Sequence, residues 1–306
     1  MVGTHPGKMS RKTNVKNPII NELIDLNIIK KKNLIRFSDR TRDKKVKEWQ
    51  DKKTKVIVLD KNTTSLNYYK NKNELIKKNQ KINIKSNNKI FNLHQINDCL
   101  RRALKFNKVL KNKTVLDFGC AYGDFLSNLK NSKNLYGIEP RTQCLDYIKK
   151  NKKNFNVFSN LNDFKNQIDV ITLFHVLEHI PNQVKILNQL KKKLKPNGKI
   201  IIEVPHARDV LLQFEKFKNF SLWSEHLILH TDKSLKKILK VAGFKNIKVK
   251  YFQRYNINNH MGWIIFNKPN GHVFLNKFHK KSSINKYNSY LIKNKISDTL
   301  IATASL

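Results

Sequence analysis

The sequence predicts an α/β fold in which a mainly parallel sheet carries helices on both faces. From about residue 90, short apolar runs of strand length alternate with segments whose apolar residues recur at helical spacing. Strands joined by helices in this way pair in parallel, and such sheets are covered on both faces. A chain of 306 residues, 39% of them hydrophobic, is long enough to bury the core that this fold needs.

The predicted elements follow one another in a regular order. Apolar spacing over residues 93–110 predicts one or two helices that lead into the sheet. Strands are predicted at residues 115–119, 135–139, 156–158, 170–174 and 200–204, with helices at 123–129, 143–150 and 182–194 between them. Residues 195–198, Lys-Pro-Asn-Gly, are a stop signal for the last of these helices. A helix at 232–242 and strands at 247–253 and 298–302 complete the prediction.

The first 88 residues differ from the rest in composition. They are rich in Lys and Asn, with a strand-like run at 56–59 and an amphipathic segment at 18–30. We therefore predict a partly ordered N-terminal extension, residues 1–88, and a main domain, residues 89–306. Within the main domain, 205–230 is expected to be an insert of loops and helix. The aromatic stretch within 254–281 is either a lid or core of the last strands.

The net charge of +40 has two interpretations. A strongly basic protein often binds a polyanion such as nucleic acid. However, Lys, Asn and Ile recur throughout the chain, in helices and loops alike, which is typical of a compositional bias rather than a localised binding stripe. We favour the bias, and a nucleic-acid partner stays open as the second interpretation.

Cysteine usage and hydropathy indicate a reducing compartment. Cys99, Cys120 and Cys144 form no CxxC pair and are odd in number, so neither a disulfide framework nor a zinc site is expected. The first residues lack the apolar core of a signal peptide, and no run of about eighteen apolar residues occurs. We expect a soluble cytoplasmic protein with no metal and no membrane insertion.

The strongest local feature is the turn from Asp117 to Gly123. It ends one predicted strand and opens a helix, which is where open α/β sheets bind ligands. Gly119 and Gly123, with the small Cys120 and Ala121 between them, let a ligand approach the backbone. Asp117 suits a cationic ligand group better than a pyrophosphate. Glu139, about twenty residues on at the tip of the next strand, suits ribose hydroxyls.

Four segments in sequence resemble the successive motifs of class I S-adenosylmethionine methyltransferases. They are Asp117-Phe-Gly-Cys-Ala-Tyr-Gly123, Tyr136-Gly-Ile-Glu139, Phe174-His-Val-Leu-Glu-His179 and Leu194-Lys-Pro-Asn-Gly198. The resemblance spans roughly residues 90–253. It implies a Rossmann-like sheet with an antiparallel last strand, S-adenosyl-L-methionine as cofactor, and methyl transfer as the activity.

The same resemblance assigns cofactor roles. The methionine part of the cofactor is expected along Gly119, Cys120, Ala121 and Gly123, with Asp117 at its amino end and Glu139 on the ribose. Asn160 and Leu161 are expected to flank the adenine, and Phe174 and His175 to close the pocket floor. Ala121 stands where the family often has glycine, and alanine is nearly as small.

Candidate catalytic groups lie in loops at the predicted carboxyl edge of the sheet. His226 is the first candidate for a general base, since its neighbour Glu225 is placed to orient it. His206 and His175 are further candidates, whereas His179 and His230 fit capping or core-edge roles better. Residues 203–209 and 223–226 resemble the corresponding region of methyltransferases from sugar, cell-surface polysaccharide and related small-metabolite pathways, which implies a small-molecule acceptor.

Three alternatives remain. A nucleic-acid methyltransferase agrees with the charge, but the Asn/Asp-Pro-Pro-aromatic and Pro-Cys motifs of base methyltransferases are missing from the sequence. A catalytically silent scaffold that binds the cofactor is the second alternative. A nucleotide-dependent dehydrogenase is the third, and the later motifs count against it. The acceptor, the methylated atom and the oligomeric state are left open.

Overall fold

The computed structural model describes residues 15–64, 68, 84–86, 89–91, 93–275 and 280–306. Its strands are β1 (Val15–Lys16), β2 (Leu34–Ser38), β3 (Glu48–Asp51), β4 (Ile57–Leu59), β5 (Lys61–Asn62), β6 (Ile84–Ser86), β7 (Lys89–Phe91), β8 (Thr114–Phe118), β9 (Asn134–Ile138), β10 (Asn156–Phe158), β11 (Ile168–Phe174), β12 (Leu194–Pro205), β13 (Ile228–Leu229), β14 (Lys245–Phe252) and β15 (Thr299–Ser305). Its α-helices are α1 (Ile19–Asp25), α2 (Leu93–Leu110), α3 (Asp124–Ser127), α4 (Thr142–Asn151), α5 (Gln183–Lys191), α6 (Glu215–Ser221), α7 (Asp232–Val241), α8 (Ile257–Phe266), α9 (Gly271–Phe274) and α10 (Lys281–Lys293).

A seven-stranded sheet forms the centre of the main domain. Its order is β10-β9-β8-β11-β12-β15-β14. The first five strands in this order, β10, β9, β8, β11 and β12, pair in parallel, and β15 runs antiparallel to both of its neighbours. The predicted mainly parallel sheet with an antiparallel last strand is confirmed. Because parallel strands end at the same edge, the turns after β8, β9, β11 and β12 lie together.

Strand β12 begins earlier than the sequence predicts. Ile168 pairs with Leu194, and the next pair is Val170 with Lys199, so four residues of β12 bulge out of register. Asn197 within this bulge has a left-handed φ of 62°. The Lys-Pro-Asn-Gly stretch therefore forms an irregular start of the strand rather than a separate loop, and the preceding helix α5 ends at Lys191.

A second sheet joins the N-terminal residues to the main domain. Its order is β13-β4-β3-β2, with all pairs antiparallel. Three of its strands come from residues 34–59, and β13 comes from the 205–230 insert. The predicted strand at 56–59 and helix within 18–30 are confirmed as β4 and α1. Much of the predicted extension, at residues 1–14 and over most of 65–88, lies outside the described residues.

The stretch at 254–281 contains helices. Trp263 in α8 is buried against Phe217 and Phe220, at centroid distances of 5.2 and 4.8 Å. Phe266, three residues on, is 47% exposed. The interpretation as core of the last strands covers Phe252, Trp263 and Phe266. Phe252 ends β14 and packs against the core, whereas Trp263 is buried in a helix and Phe266 lies exposed at the end of that helix. Among the described residues, no helix combines the length and apolar character needed to cross a bilayer.

Candidate active site

The turn after β8 lies against the turn after β9. The backbone N–H groups of Gly119 and Cys120 both donate to the carbonyl oxygen of Ile138, at 2.7 and 3.1 Å. Gly119, Ala121 and Gly123 have positive φ values of 83°, 50° and 72°. A left-handed backbone is easy for glycine and strained for other residues, which explains why glycines stand at two of these three positions.

The two glycines also leave no room for a side chain. A Cβ atom on Gly119 would lie 2.4 Å from Val176 Cγ2, and one on Gly123 would lie 2.3 Å from Phe155 Cζ. Both distances are far below van der Waals contact. The turn is therefore fixed by close packing against Val176 and Phe155, which holds its backbone N–H groups in one arrangement.

Asp117 is buried at the carboxyl end of β8. Its side chain is 4% exposed, and its Oδ1 accepts a hydrogen bond of 2.7 Å from the Thr172 hydroxyl. Burial raises the pKa of Asp117 to about 7. The carboxylate is thus held near its titration point, and a cationic group placed beside it would stabilise its charged form.

Glu139 connects the two turns. It is 2% exposed, and its Oε2 accepts a hydrogen bond of 2.9 Å from the backbone N–H of Ala121. The guanidinium of Arg141 donates to Oε1 at 2.7 Å and to Oε2 at 3.2 Å. Although burial opposes its charge, Glu139 raises the pKa of Arg141. A ligand hydroxyl that binds Glu139 must share the carboxylate with Arg141 or displace it.

The residues predicted around the rest of the cofactor occupy different environments. Phe174 is 9% exposed and packs on Phe106 and Phe125, at centroid distances of 5.9 and 4.8 Å. Leu161 is buried in the core, whereas Asn160 is exposed and accepts hydrogen bonds from the backbone N–H groups of residues 162 and 163. Their predicted roles toward adenine and the pocket floor stay predictions.

His175 follows β11 with a left-handed φ of 56°. Its Nδ1 lies 3.2 Å from Glu178 Oε1, and its Nε2 lies 2.9 Å from Arg254 Nη1. The carboxylate accepts and the guanidinium donates, so this arrangement requires the neutral ring with its proton on Nδ1. Burial opposes the charged ring, but hydrogen bonds to Glu178 and Glu203 outweigh it and raise the pKa of His175. Protonation of Nε2 would favour a hydrogen bond from His175 to Glu203 and would break the contact with Arg254.

A buried charge cluster surrounds His175. Arg101 and Arg102 of α2 both donate to Glu203 Oε1 with Nη2, each at 2.7 Å. Arg254 Nη2 pairs with Asp98 at 2.8 Å. Although burial opposes its charge, His175 and the two arginines of α2 hold the pKa of Glu203 well below its usual range. The sequence prediction does not include this cluster, since a lone carboxylate in the apolar run of β12 and an Arg-Arg pair in α2 do not by themselves indicate that the two segments meet.

The predicted base His226 lies beside His179 and Glu178. The rings of His226 and His179 meet edge to face at a centroid distance of 4.9 Å. Burial lowers the pKa of His226 to about 4, so the ring is neutral near pH 7. Its neighbour Glu225 accepts a hydrogen bond of 2.8 Å from the Tyr68 hydroxyl, and the Glu225 carbonyl oxygen lies 3.0 Å from His179 Nδ1.

One grouping of metal-ligand type occurs within the described part of the chain. The donor atoms of Glu178, His179 and His226 all lie within 4.8 Å of one another. Ligands of a tetrahedral zinc ion, at about 2.0–2.1 Å from the metal, lie roughly 3.3 Å apart, and these two rings pack on each other instead. We assign no metal here.

His206 directly follows β12 and is buried. Its side chain is 1% exposed, and its Nδ1 lies 2.8 Å from the carbonyl oxygen of Ser297. Its Nε2 is buried without a hydrogen-bond partner. Burial lowers the pKa of His206 to about 4. The structure thus brings His175 and His226 together beside Glu178, whereas His206 is buried against Ser297.

Arg42 and Asp43 of the N-terminal part hold the loop that carries His226. Asp43 accepts hydrogen bonds from the Ser224 N–H and hydroxyl, at 3.0 and 2.6 Å. The guanidinium of Arg42 lies over the rings of Phe220 and Trp223, at 3.9 and 4.6 Å from their centroids. The N-terminal residues therefore pack against the loop that carries the candidate base, a long-range contact that no sequence pattern indicates.

Comparison with known proteins identifies similar chains. A family model described as a methyltransferase domain matches residues 89–249. A ubiquinone biosynthesis O-methyltransferase of Hydrogenovibrio crunogenus is 29% identical over 116 residues, which cover 35% of this chain and 48% of that protein. A tRNA U34 carboxymethyltransferase of Aliarcobacter butzleri is 27% identical over 179 residues, which cover 53% of this chain and 58% of that protein.

The similarity is partial in length. The chain spans about half the length of these two curated relatives. Among solved structures, a SAM-dependent methyltransferase from Archaeoglobus fulgidus aligns with 69% of this chain and 94% of its own, at 20% sequence identity and a TM-score of 0.48.

Proposed function

This chain belongs to the methyltransferase-domain family, whose model covers residues 89–249, and on that premise we propose that it is an S-adenosylmethionine-dependent methyltransferase acting on a small molecule. The acceptor class we propose is a sugar or a precursor of a cell-surface polysaccharide. The observation that carries the proposal is the close-packed turn after β8, with the buried carboxylates Asp117 and Glu139 on either side of it.

The residues at this turn fit the cofactor. When bound, S-adenosylmethionine supplies a methyl group activated by a sulfonium. Gly119, Cys120, Ala121 and Gly123 would lie along its methionine part, because their small side chains leave the backbone of the turn open to close approach. Asp117 would face its ammonium group, and that charge would lower the raised pKa of the carboxyl group. Glu139 would hold the ribose hydroxyls and share its oxygens with Arg141.

Catalysis in this proposal depends first on positioning. Holding an acceptor in near-attack geometry contributes up to about 7–11 kcal/mol, whereas a general base typically adds about 10²–10⁴-fold. His226 is the proposed base because its ring is neutral near pH 7 and lies near Glu178, whose charge would stabilise the imidazolium. Burial opposes Glu178, but its hydrogen bond to His175 holds its pKa at about 2, so that charge is present.

The other predicted catalytic residues have supporting roles in this proposal. Glu225 orients the loop through its hydrogen bond with Tyr68. His175 orients Glu178 through Nδ1. His206 is the second candidate base, with a lone Nε2 that lacks a partner in the described structure.

Cofactor binding is the first test. Calorimetry with S-adenosylmethionine and S-adenosylhomocysteine should give binding by the wild type that Asp117→Ala and Glu139→Ala both weaken. Asp169→Asn is the matched control, since this carboxylate lies at the opposite end of the sheet and binds the Thr114 N–H and Lys195. Absence of binding by the folded wild type would refute the proposal, and it would equally exclude a silent scaffold that binds the cofactor.

The base is tested separately. His226→Ala should lose methyl transfer to an accepted sugar-nucleotide or small-metabolite substrate and keep its affinity for the cofactor. Glu225→Gln retains the shape of its side chain and should retain most activity. Unchanged turnover in His226→Ala would remove His226 from the mechanism and leave His206 to be tested in the same way.

A nucleic-acid acceptor is the alternative function. The net charge of +40 and the similarity to a tRNA carboxymethyltransferase favour it. Binding of bulk RNA that persists at moderate salt, together with methylation of that RNA, would favour this alternative over a small-molecule acceptor.

A further inference from the structure

The pair α8–α9 ends in an exposed apolar surface. Five large apolar side chains there are about half exposed or more, and we call them the apolar tip: Ile264 (47%), Ile265 (54%), Phe266 (47%), Val273 (61%) and Phe274 (48%). Phe266 and Phe274 touch edge to face at a centroid distance of 5.6 Å, so the two helices present one surface. Contiguous exposed apolar surface of this kind marks an interaction site.

The fold holds the apolar tip outward. Gly262 and Gly271 let the two helices approach so closely that a Cβ on Gly271 would lie 2.1 Å from the carbonyl oxygen of Asn258. Asn267 and Asn270 adopt left-handed φ values of 53° and 67° in the connection. Trp263, immediately before the tip, anchors α8 in a buried cluster with Phe217. The packing of the two helices therefore holds the tip side chains in the exposed position.

The charged residues of the segment that carries the tip have one sign. The sequence from residue 233 to 297 contains no Asp or Glu at all. Lys268 lies exposed in the connection between the two helices, and Lys280 and Lys281 lie exposed where α10 begins. Apolar side chains beside lysines form the pattern of a surface that enters the headgroup region of an anionic bilayer.

The residue types at and near the tip favour a lipid surface over nucleic acid as its partner. Single-stranded nucleic acid is bound by aromatic stacking and by arginine, and residues 255–297 contain no arginine. Three of the five tip residues are aliphatic and offer no face for stacking. We propose that the apolar tip docks this protein on the surface of an anionic lipid membrane, with the tip side chains in the headgroup and acyl boundary and the lysines on lipid phosphates.

This docking would place the proposed active site close to the membrane. Helix α8 begins three residues after Arg254, whose guanidinium contacts His175. A ten-residue helix is about 15 Å long, so the tip lies roughly that distance from the start of α8. The inference does not depend on the proposed function, because it concerns binding and its test measures no methyl transfer.

The test is sedimentation of the full chain with vesicles at moderate salt. Phosphatidylcholine vesicles that contain phosphatidylglycerol should bind the wild type, and pure phosphatidylcholine vesicles should bind it much more weakly. The double variant Phe266→Asn/Phe274→Asn, which leaves the net charge unchanged, should lose at least about tenfold in partitioning, which corresponds to 1.4 kcal/mol. Leu104→Asn is the matched control, since Leu104 is 70% exposed on α2, and it should bind like the wild type.

Three outcomes would overturn the proposal. Equal binding by the wild type and the double variant would mean that net charge alone attracts the protein to the vesicles. Concentration-dependent self-association that the double variant abolishes, without vesicle binding, would assign the tip to a second copy of the chain. RNA binding that the double variant loses, without vesicle binding, would assign it to nucleic acid. Thermal unfolding of each variant confirms that it is folded.

Discussion

Glu203 is the residue whose removal should affect the stability of the candidate site most. Its side chain is fully buried, and its Oε1 accepts three hydrogen bonds from the guanidinium groups of Arg101 and Arg102. Arg254 and His175 lie in the same cluster, with Asp98 as the other carboxylate that pairs with these arginines. Glu203→Gln keeps the shape and one acceptor oxygen but removes the charge that the cluster needs.

The expected loss can be worked from this arrangement. Removing one partner of a buried ion pair leaves the other charge uncompensated and costs about 3–5 kcal/mol. Such a loss is a large fraction of the roughly 5–15 kcal/mol that stabilises a typical domain. Urea unfolding, followed by circular dichroism, should show it as a lower midpoint with an unchanged slope. Asp169→Asn, at the exposed amino end of the sheet, should lose about 1 kcal/mol or less.

The pH dependence gives an independent check. The folded-state pKa of Glu203 lies well below its unfolded value near 4.3, so its contribution is fully present above that value and is lost as the pH falls through the folded pKa. The difference between wild type and Glu203→Gln should therefore be constant above about pH 5 and shrink in more acidic solution. A loss below about 1 kcal/mol, or a difference that does not shrink in acid, would refute the reasoning.

The remaining predictions concern the turn and its supports. Gly119→Ala should weaken cofactor binding and lower the free energy of unfolding by about 1–3 kcal/mol, because it strains a positive φ and strikes Val176. At pH values above 7, Asp117→Asn should have a higher melting temperature than the wild type, and it should bind the cofactor more weakly. The raised pKa means that the charged carboxylate destabilises the fold as the pH rises from 3.8 through about 7. Asp43→Ala should cost about 1–3 kcal/mol and expose the loop at residues 222–226 to proteases, since Ser224 loses both bonds to a charged acceptor.

Each of these has its own control. Ala121→Gly relieves the strain of a positive φ of 50° in the same turn and should preserve cofactor binding. An equal loss of cofactor affinity in Ala121→Gly and Gly119→Ala would contradict the packing argument. If Asp117→Asn has the same melting temperature as the wild type at pH 8, burial does not disfavour the charged carboxylate. Asp39→Ala, an exposed carboxylate that is paired with Arg36, should leave the loop protected. Calorimetry, thermal unfolding and limited proteolysis measure the three effects.

Local features of this fold could be predicted from the sequence, and long-range ones could not. The turn from Asp117 to Gly123 was found because its glycines, its carboxylate and the flanking strand lie within a few residues of one another. Arg101 and Glu203 meet only through the packing of α2 on the sheet, and nothing in either segment alone indicates that contact. The bulge in β12 could not be predicted because Pro and Gly mark both helix ends and strand bulges. Only the pairing with β11 decides between a helix end and a bulge.

The two-residue strand β13 has a consequence for how the chain folds as it is made. The sheet of residues 34–59 obtains its fourth strand from Ile228–Leu229, and Leu59 and Ile228 are separated by 169 positions. On a ribosome, the first three strands therefore emerge and wait, with the edge of β4 unpaired, until most of the main domain has been synthesised. An unpaired edge strand readily joins other chains, so this interval is when the nascent protein is most exposed to aggregation. Pairing of β13 with β4 completes the sheet and joins residues 34–59 to the main domain in one cooperative unit.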